Sequence, residues 1–371
     1  LFGCETKPGN IISSPDETWI KIAPFFSPPS EFENNFGHYC SPLHFYDGTP
    51  VENDDDWKKR RKEILDRWHG LMGEWPALIK NQEVKVIETL QREDFIQKRI
   101  QFMWTPLEQT EGYMLIPEGE GKRPAIVVVY YEPETAIGLG KPHRDFAYQL
   151  TKLGFVTLSI GTSQATKDKT YALYYPDLEN AEVQPLSMLA CAAANAWHVL
   201  ADQPEVDSAR IGITGHSFGG KWAMFASCLF DRYACAAWSD PGIVFDESRP
   251  DINYWEPWYL GYHPPPWRPR GIITEDNPAR GLYPELVAGG NDLHELHALM
   301  APRPFLVSGG SEDPPGRSTA LNHTVAVNNL LGYKNRVAMT NRAAHTPNTE
   351  SNERMYMFFE YFLKEGGEYI K

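Results

Sequence analysis

The apolar positions change their period along the chain. Residues 1–53 carry Pro, Gly, Asn and Asp and few periodic segments, which predicts an extended arm lying on something larger. Residues 54–73, DDDWKKRRKEILDRWHGLMG, set Trp57, Ile64, Leu65 and Trp68 on one face at helical spacing. Three aspartates open that helix, where the positive end of its dipole favours them. The basic run at 58–62 is expected to be a solvated face. From about residue 82, QEVKVIETL and FIQKRIQFMW alternate as antiparallel strands do, and GYMLIP follows.

Continuous apolar runs come next. PAIVVVYY (124–131) has the character of a strand buried on both faces. Helix and strand patterns then alternate over 143–239, from HRDFAYQLTKLG to YACAAWS. An irregular stretch covers 241–290, after which helix and strand alternate again to a closing helix, MYMFFEYFLKEG. This order predicts an α/β fold with a mostly parallel sheet covered by helices on both faces. The expected organisation is an N-terminal arm and helix over 1–80, packed on one α/β domain over 81–371, with 241–290 inserted as a lid.

Composition excludes several function classes. The 371 residues hold 35 Lys and Arg against 49 Asp and Glu, a net charge of −14. That balance argues against a nucleic-acid partner, which needs basic surface. No apolar run reaches the roughly 18 residues that suggest a membrane-spanning helix. Cysteines at 4, 40, 191, 228 and 235 form neither a disulfide framework nor a zinc motif. Cys191 and Cys228 sit in helical runs as small hydrophobes, while Cys4 and Cys40 could pair in an oxidising compartment. The opening LFGC resembles the end of a bacterial lipoprotein signal. An exported location, periplasmic, secreted or lipid-anchored, is therefore expected, with the cytoplasm as the alternative. The sequence carries no signal of oligomeric state.

The candidate chemistry lies in RIGITGHSFGGKWAMF. Gly215-His216-Ser217-Phe218-Gly219 is a Gly-x-Ser-x-Gly match between a strand and a helix. A serine on so sharp a turn has strained backbone angles, and side chains at the neighbouring positions would clash. The turn lifts the hydroxyl above the sheet and aims the Phe218 N–H at the same place. The segment VDSARIGITGHSFGGKWAMFA resembles the nucleophile elbow of α/β-hydrolase esterases, and the span from about 110 to 365 follows that fold's element order. Among these, dienelactone-hydrolase-like and acetyl-xylan-esterase-like bacterial proteins are the most similar, also through the WKKRRKEIL helix and the phrase APRPFLVSGGSED.

The resemblance implies the order Ser, then Asp or Glu, then His. Asp313, in the Gly310-Ser311-Glu312-Asp313 turn, is the expected acid, with Asp240 at the end of YACAAWSD and Glu312 as alternatives. His345 is the histidine of the loop before the last helix and the expected base. The oxyanion donors expected are the N–H of Phe218 and that of Tyr131 or Glu132, since Pro133 has none. Glucuronoyl esterases carry Gly-x-Ser-Arg-x-Gly-Lys; here Lys221 and Gly220 match, but Phe218 replaces the arginine.

The lid stretch holds nine prolines together with Trp255, Trp258 and Trp267. It is too aromatic for disorder and too long for a plain connection. Trp255, Trp258, Trp238 and Lys221 are the expected substrate contacts. His294 and His297 stand three apart on a helix without a third ligand at sensible spacing, so packing is expected and neither metal nor organic cofactor. The function expected is a serine esterase that deacylates a carbohydrate or small-molecule ester. The alternatives are a glucuronoyl-type or lactone hydrolase, a peptidase, and a non-catalytic binding protein.

Overall fold

The computed structural model describes residues 15–162 and 171–364. LFGC and Cys4 lie outside the described residues, while Cys40 is free and exposed. The chain enters through α1 (Pro15–Ile22) and two single-turn helices. The arm that follows is held by side chains of the body. Asn322 donates to the carbonyls of Phe32 and Asn35 at 2.8 and 2.7 Å, and His294 Nε2 lies 2.6 Å from the Cys40 carbonyl.

Helix α2 (Asp54–Met72) is capped by Asn53, whose side chain accepts from the N–H groups of Asp55 and Asp56. Its buried face is Trp57, Arg60, Ile64, Trp68 and Met72. The basic run is therefore divided. Lys58 and Lys59 pair with first-turn aspartates at the surface, whereas Arg60 is buried against Glu295 and Arg61 reaches the Leu299 carbonyl. Spacing alone does not show that an arginine lies on the inward side of the stripe.

Among the described residues, nine strands form one sheet in the order β1-β2-β3-β5-β4-β6-β7-β8-β9. These are β1 (Lys85–Gln91), β2 (Phe95–Met103), β3 (Gln109–Pro117), β4 (Arg123–Tyr130), β5 (Val156–Gly161), β6 (Val206–His216), β7 (Cys235–Ser239), β8 (Phe305–Gly309) and β9 (Val337–Asn341). The first three pair antiparallel, and β3 pairs antiparallel with β5; the strands from β5 to β9 are parallel.

Parallel strands need crossovers, and the helices that make them cover both faces. In β4, Val127 and Val129 face the cluster of α2, α4 (Pro185–Ala201) and α5 (Phe218–Leu229). Ile126 and Val128 face the cluster of α3 (Phe146–Lys152) and α9 (Thr349–Phe359). Burial on both sides is why this strand has no polar alternation. Among the described residues, the remaining α-helices are α6 (Tyr283–Ala288), α7 (His294–Ala298) and α8 (Ser318–Leu330). The carboxyl ends of β4, β6, β7, β8 and β9 lie along one edge, where open α/β sheets hold their sites.

Candidate active site

Ser217 ends the turn between β6 and α5 with φ 57° and ψ −116°. A non-glycine residue there is strained by about 1–3 kcal/mol. The local sequence makes the strain tolerable through its glycines. A Cβ on Gly215 would fall 2.3 Å from the Gly219 carbonyl oxygen, and one on Gly219 would fall 2.1 Å from that of Val129. The Ser217 N–H donates to the Ser239 carbonyl at 2.8 Å, which ties the turn to the end of β7.

His345 comes from the loop after β9. Its Nε2 lies 2.8 Å from Ser217 Oγ, and its Nδ1 lies 2.7 Å from Asp240 Oδ2. Asp240 is fully buried. Its carboxylate also accepts from the N–H groups of Gly310 at 2.6 Å and Asp313 at 2.9 Å. Arg342 holds the histidine loop in place by donating to the carbonyls of His345 at 2.7 Å, Thr346 at 3.1 Å and Ser308 at 2.8 Å. The His216 ring packs 4.7 Å from that of His345. Burial, helped by the neighbouring His345, pushes the His216 imidazole well below its usual range, so it stays neutral beside His345. Such a line can pass the serine proton to Nε2 while the carboxylate fixes the tautomer.

Residues 110–244 match the dienelactone hydrolase family. A glucuronoyl esterase from Solibacter usitatus superposes with a TM-score of 0.69 at 17% identity, covering 90% of this chain and 98% of that one. A glucuronoyl esterase of carbohydrate esterase family 15 from Teredinibacter turnerae gives 0.61 at 17% identity, covering 91% and 93%. A Bacteroides fragilis protein provisionally titled an acetyl xylan esterase gives 0.57 at 16%, covering 95% and 92%. No curated protein matches the sequence significantly. The chain has the α/β-hydrolase fold.

The fold brings a carboxylate other than the expected one against His345. Asp313 does not face His345. Its carboxylate accepts from the N–H groups of Gly242 at 2.8 Å and Ile243 at 2.7 Å. Burial, then the charge of Asp240, raises its pKa to about 6. Glu312 is nearer the imidazole, with Oε1 4.0 Å from Nδ1, and its other oxygen lies 3.4 Å from Arg249. The signal for Asp240 lay in the pair Gly309-Gly310. A Cβ on Gly310 would fall 2.6 Å from Asp240 Oδ2 and 2.4 Å from the Ala344 carbonyl oxygen. Glycine is needed there because the backbone wraps the carboxylate.

Three expected substrate contacts are buried. Trp238 stacks on Phe305 at 4.4 Å and donates to Ser227 Oγ. Trp255 is fully buried against Tyr283. Lys221 is buried as well; its Nζ donates to the Pro241 carbonyl, and its pKa falls to about 8 through burial, against the pull of Asp313. Trp258 remains half-exposed, edge-on to Trp267 at 6.1 Å with Arg270 over its ring. The residue that replaces arginine, Phe218, stacks on Tyr131 at 4.7 Å, and Tyr171 meets Tyr131 edge-on at 4.7 Å.

Phe218 also opens α5, whose first N–H groups have no partner inside the helix. Tyr131 and Glu132 form the turn after β4, where the Glu132 carbonyl accepts from Thr135 at 3.1 Å. Asp240, Glu312 and His345 bring one ligand atom each within 4.8 Å of one another, the one such group of three among the described residues. His294 and His297 are buried in packing, and burial lowers both to about 3. Among the described residues, no helix is long and apolar enough to cross a membrane.

Proposed function

We propose that the protein is a serine esterase that hydrolyses carboxylic esters through Ser217, His345 and Asp240. The observation that carries this reading is the unbroken hydrogen-bonded line from Ser217 Oγ through His345 to the buried Asp240 carboxylate. Ser217 gives its proton to Nε2 and attacks the carbonyl carbon; the N–H of Phe218, with that of Tyr131 or Glu132, receives the developing oxyanion. The imidazolium returns the proton to the leaving alcohol. Water, deprotonated by the same nitrogen, then releases the acyl group as a carboxylic acid.

A carbohydrate ester is the proposed substrate. Trp258 and Tyr171 are only partly buried, which leaves aromatic surface for a sugar ring. The structurally similar glucuronoyl esterase and acetyl xylan esterase point to the same class. A uronoyl ester is the second reading, favoured by Lys221 standing in register with the lysine of the glucuronoyl-esterase motif. Phe218 in place of the arginine and the burial of Lys221 put an acylated saccharide first.

The test is a panel of p-nitrophenyl acetate, acetylated xylo-oligosaccharides, methyl glucuronate esters and dipeptide amides, run with wild type and Ser217→Ala. Hydrolysis of an ester by wild type alone is expected. Cleavage of amides only, or equal rates in both proteins, would sink the reading.

A further inference from the structure

We propose that Asp313, together with Lys221, is a positioning residue that holds Asp240 against His345. This rests on the triad reading above and assigns a role to two buried charged groups that the triad leaves unused. Asp240 sits directly after β7 with φ 50°, in the left-handed region that residues other than glycine seldom adopt, aspartate being one of the more frequent there. Something around it must over-determine that conformation.

The ends of β7 and β8 hold each other reciprocally. Asp240, from the first, accepts from the N–H groups of Gly310 and Asp313 on the second. Asp313, from the second, accepts from those of Gly242 and Ile243 on the first. The Asp313 N–H donates to the Asp240 carboxylate while its own carboxylate receives the two residues just beyond Pro241, so one residue grips both the strained residue's side chain and the backbone that follows it. Lys221 closes the arrangement from α5 by donating to the intervening Pro241 carbonyl. Asn341 donates to the Asp313 carbonyl at 2.9 Å and fixes the clamp to the end of β9.

Burying a carboxylate costs several kcal/mol unless its lone pairs are met. The two N–H donors offset part of that cost here, and the carboxyl pKa stays raised to about 6. The return is a triad acid that cannot relax its backbone. Asparagine at 313 offers one acceptor oxygen and turns an NH₂ toward an N–H, so one of the two grips must be lost.

The test is a double-mutant cycle on p-nitrophenyl acetate with Asp313→Asn and Asp240→Asn, read beside a crystal structure of Asp313→Asn. Alone, Asp313→Asn is expected to lower kcat ~10- to 100-fold with KM within about twofold, and to add less than about threefold in the Asp240→Asn background. The crystal structure is expected to show the Asp240 carboxylate out of hydrogen-bonding distance of Nδ1. Equal losses in both backgrounds, or an Asp240 unmoved in the crystal, would overturn the proposal. Should Asp313→Asn fail to fold, Lys221→Met replaces it in the same cycle and crystal, with the same two criteria. A small effect of Asp240→Asn would instead overturn the triad reading, and the crystal criterion still judges the clamp.

Discussion

Two buried aspartates, Asp240 and Asp313, lie beyond the ends of adjacent strands, and both are capped by backbone N–H groups. One spends an oxygen on an imidazole, the other spends both on backbone. The difference is in the direction of the chain at each position. Asp240 follows β7 immediately in a left-handed conformation, while Asp313 lies four residues past Gly309. The loop after β8 therefore wraps the first carboxylate and brings its own beneath the lid root. Burial and a carboxylate together do not identify a triad acid; what each oxygen faces does.

The largest expected effect sets the scale for this comparison. Ser217→Ala should cost ~10⁴–10⁶ in kcat on the preferred ester, and Asp240→Asn ~10³–10⁴ through the wrong histidine tautomer. If Asp313→Asn proved more damaging to kcat than Asp240→Asn, the assignment of the two aspartates would be reversed.

The next contrast is in pH dependence of stability. The Asp313 pKa is raised to about 6, so between about 4 and 6 the folded state binds a proton that the unfolded chain has lost. Stability from this residue therefore falls as pH rises through that window, by on the order of 1 kcal/mol or more. Urea unfolding at pH 4 and pH 7 should show a smaller fall in Asp313→Asn than in wild type. An unchanged difference would mean that Asp313 is not the group taking up the proton.

The lid tryptophans repeat the contrast between partner and scaffold. Trp255→Ala removes a fully buried ring and should cost about 3–5 kcal/mol of stability, seen as a lower urea midpoint. Trp258→Ala should leave stability nearly unchanged. Its kcat/KM should fall about tenfold more on an acylated saccharide than on p-nitrophenyl acetate, because only the former has a ring to stack. Equal losses on both substrates would remove the carbohydrate contact from Trp258.

The smallest expected effect is that of a chelator. Dialysis against EDTA should leave kcat within about twofold, since serine attack needs only the imidazole and carboxylate. Loss of activity restored by a divalent cation would recast Asp240, Glu312 and His345 as ligands.

The sequence by itself determined the sheet, the elbow and the histidine. PAIVVVYY and the strands after it are apolar because both faces are covered, and that periodicity is local. Gly215 and Gly219 announce a turn that admits no side chain, and they flank Ser217 in the sequence. Only the tertiary structure decided between Asp240 and Asp313, because Gly309-Gly310 marks a loop that wraps closely around something without showing which carboxylate it wraps. It also decided that Trp238, Trp255 and Lys221 turn inward. Aromatic and basic residues carry no local mark of the side they face in an irregular lid or an all-buried helix. Their direction follows from packing between segments far apart in the chain, which no period along it records.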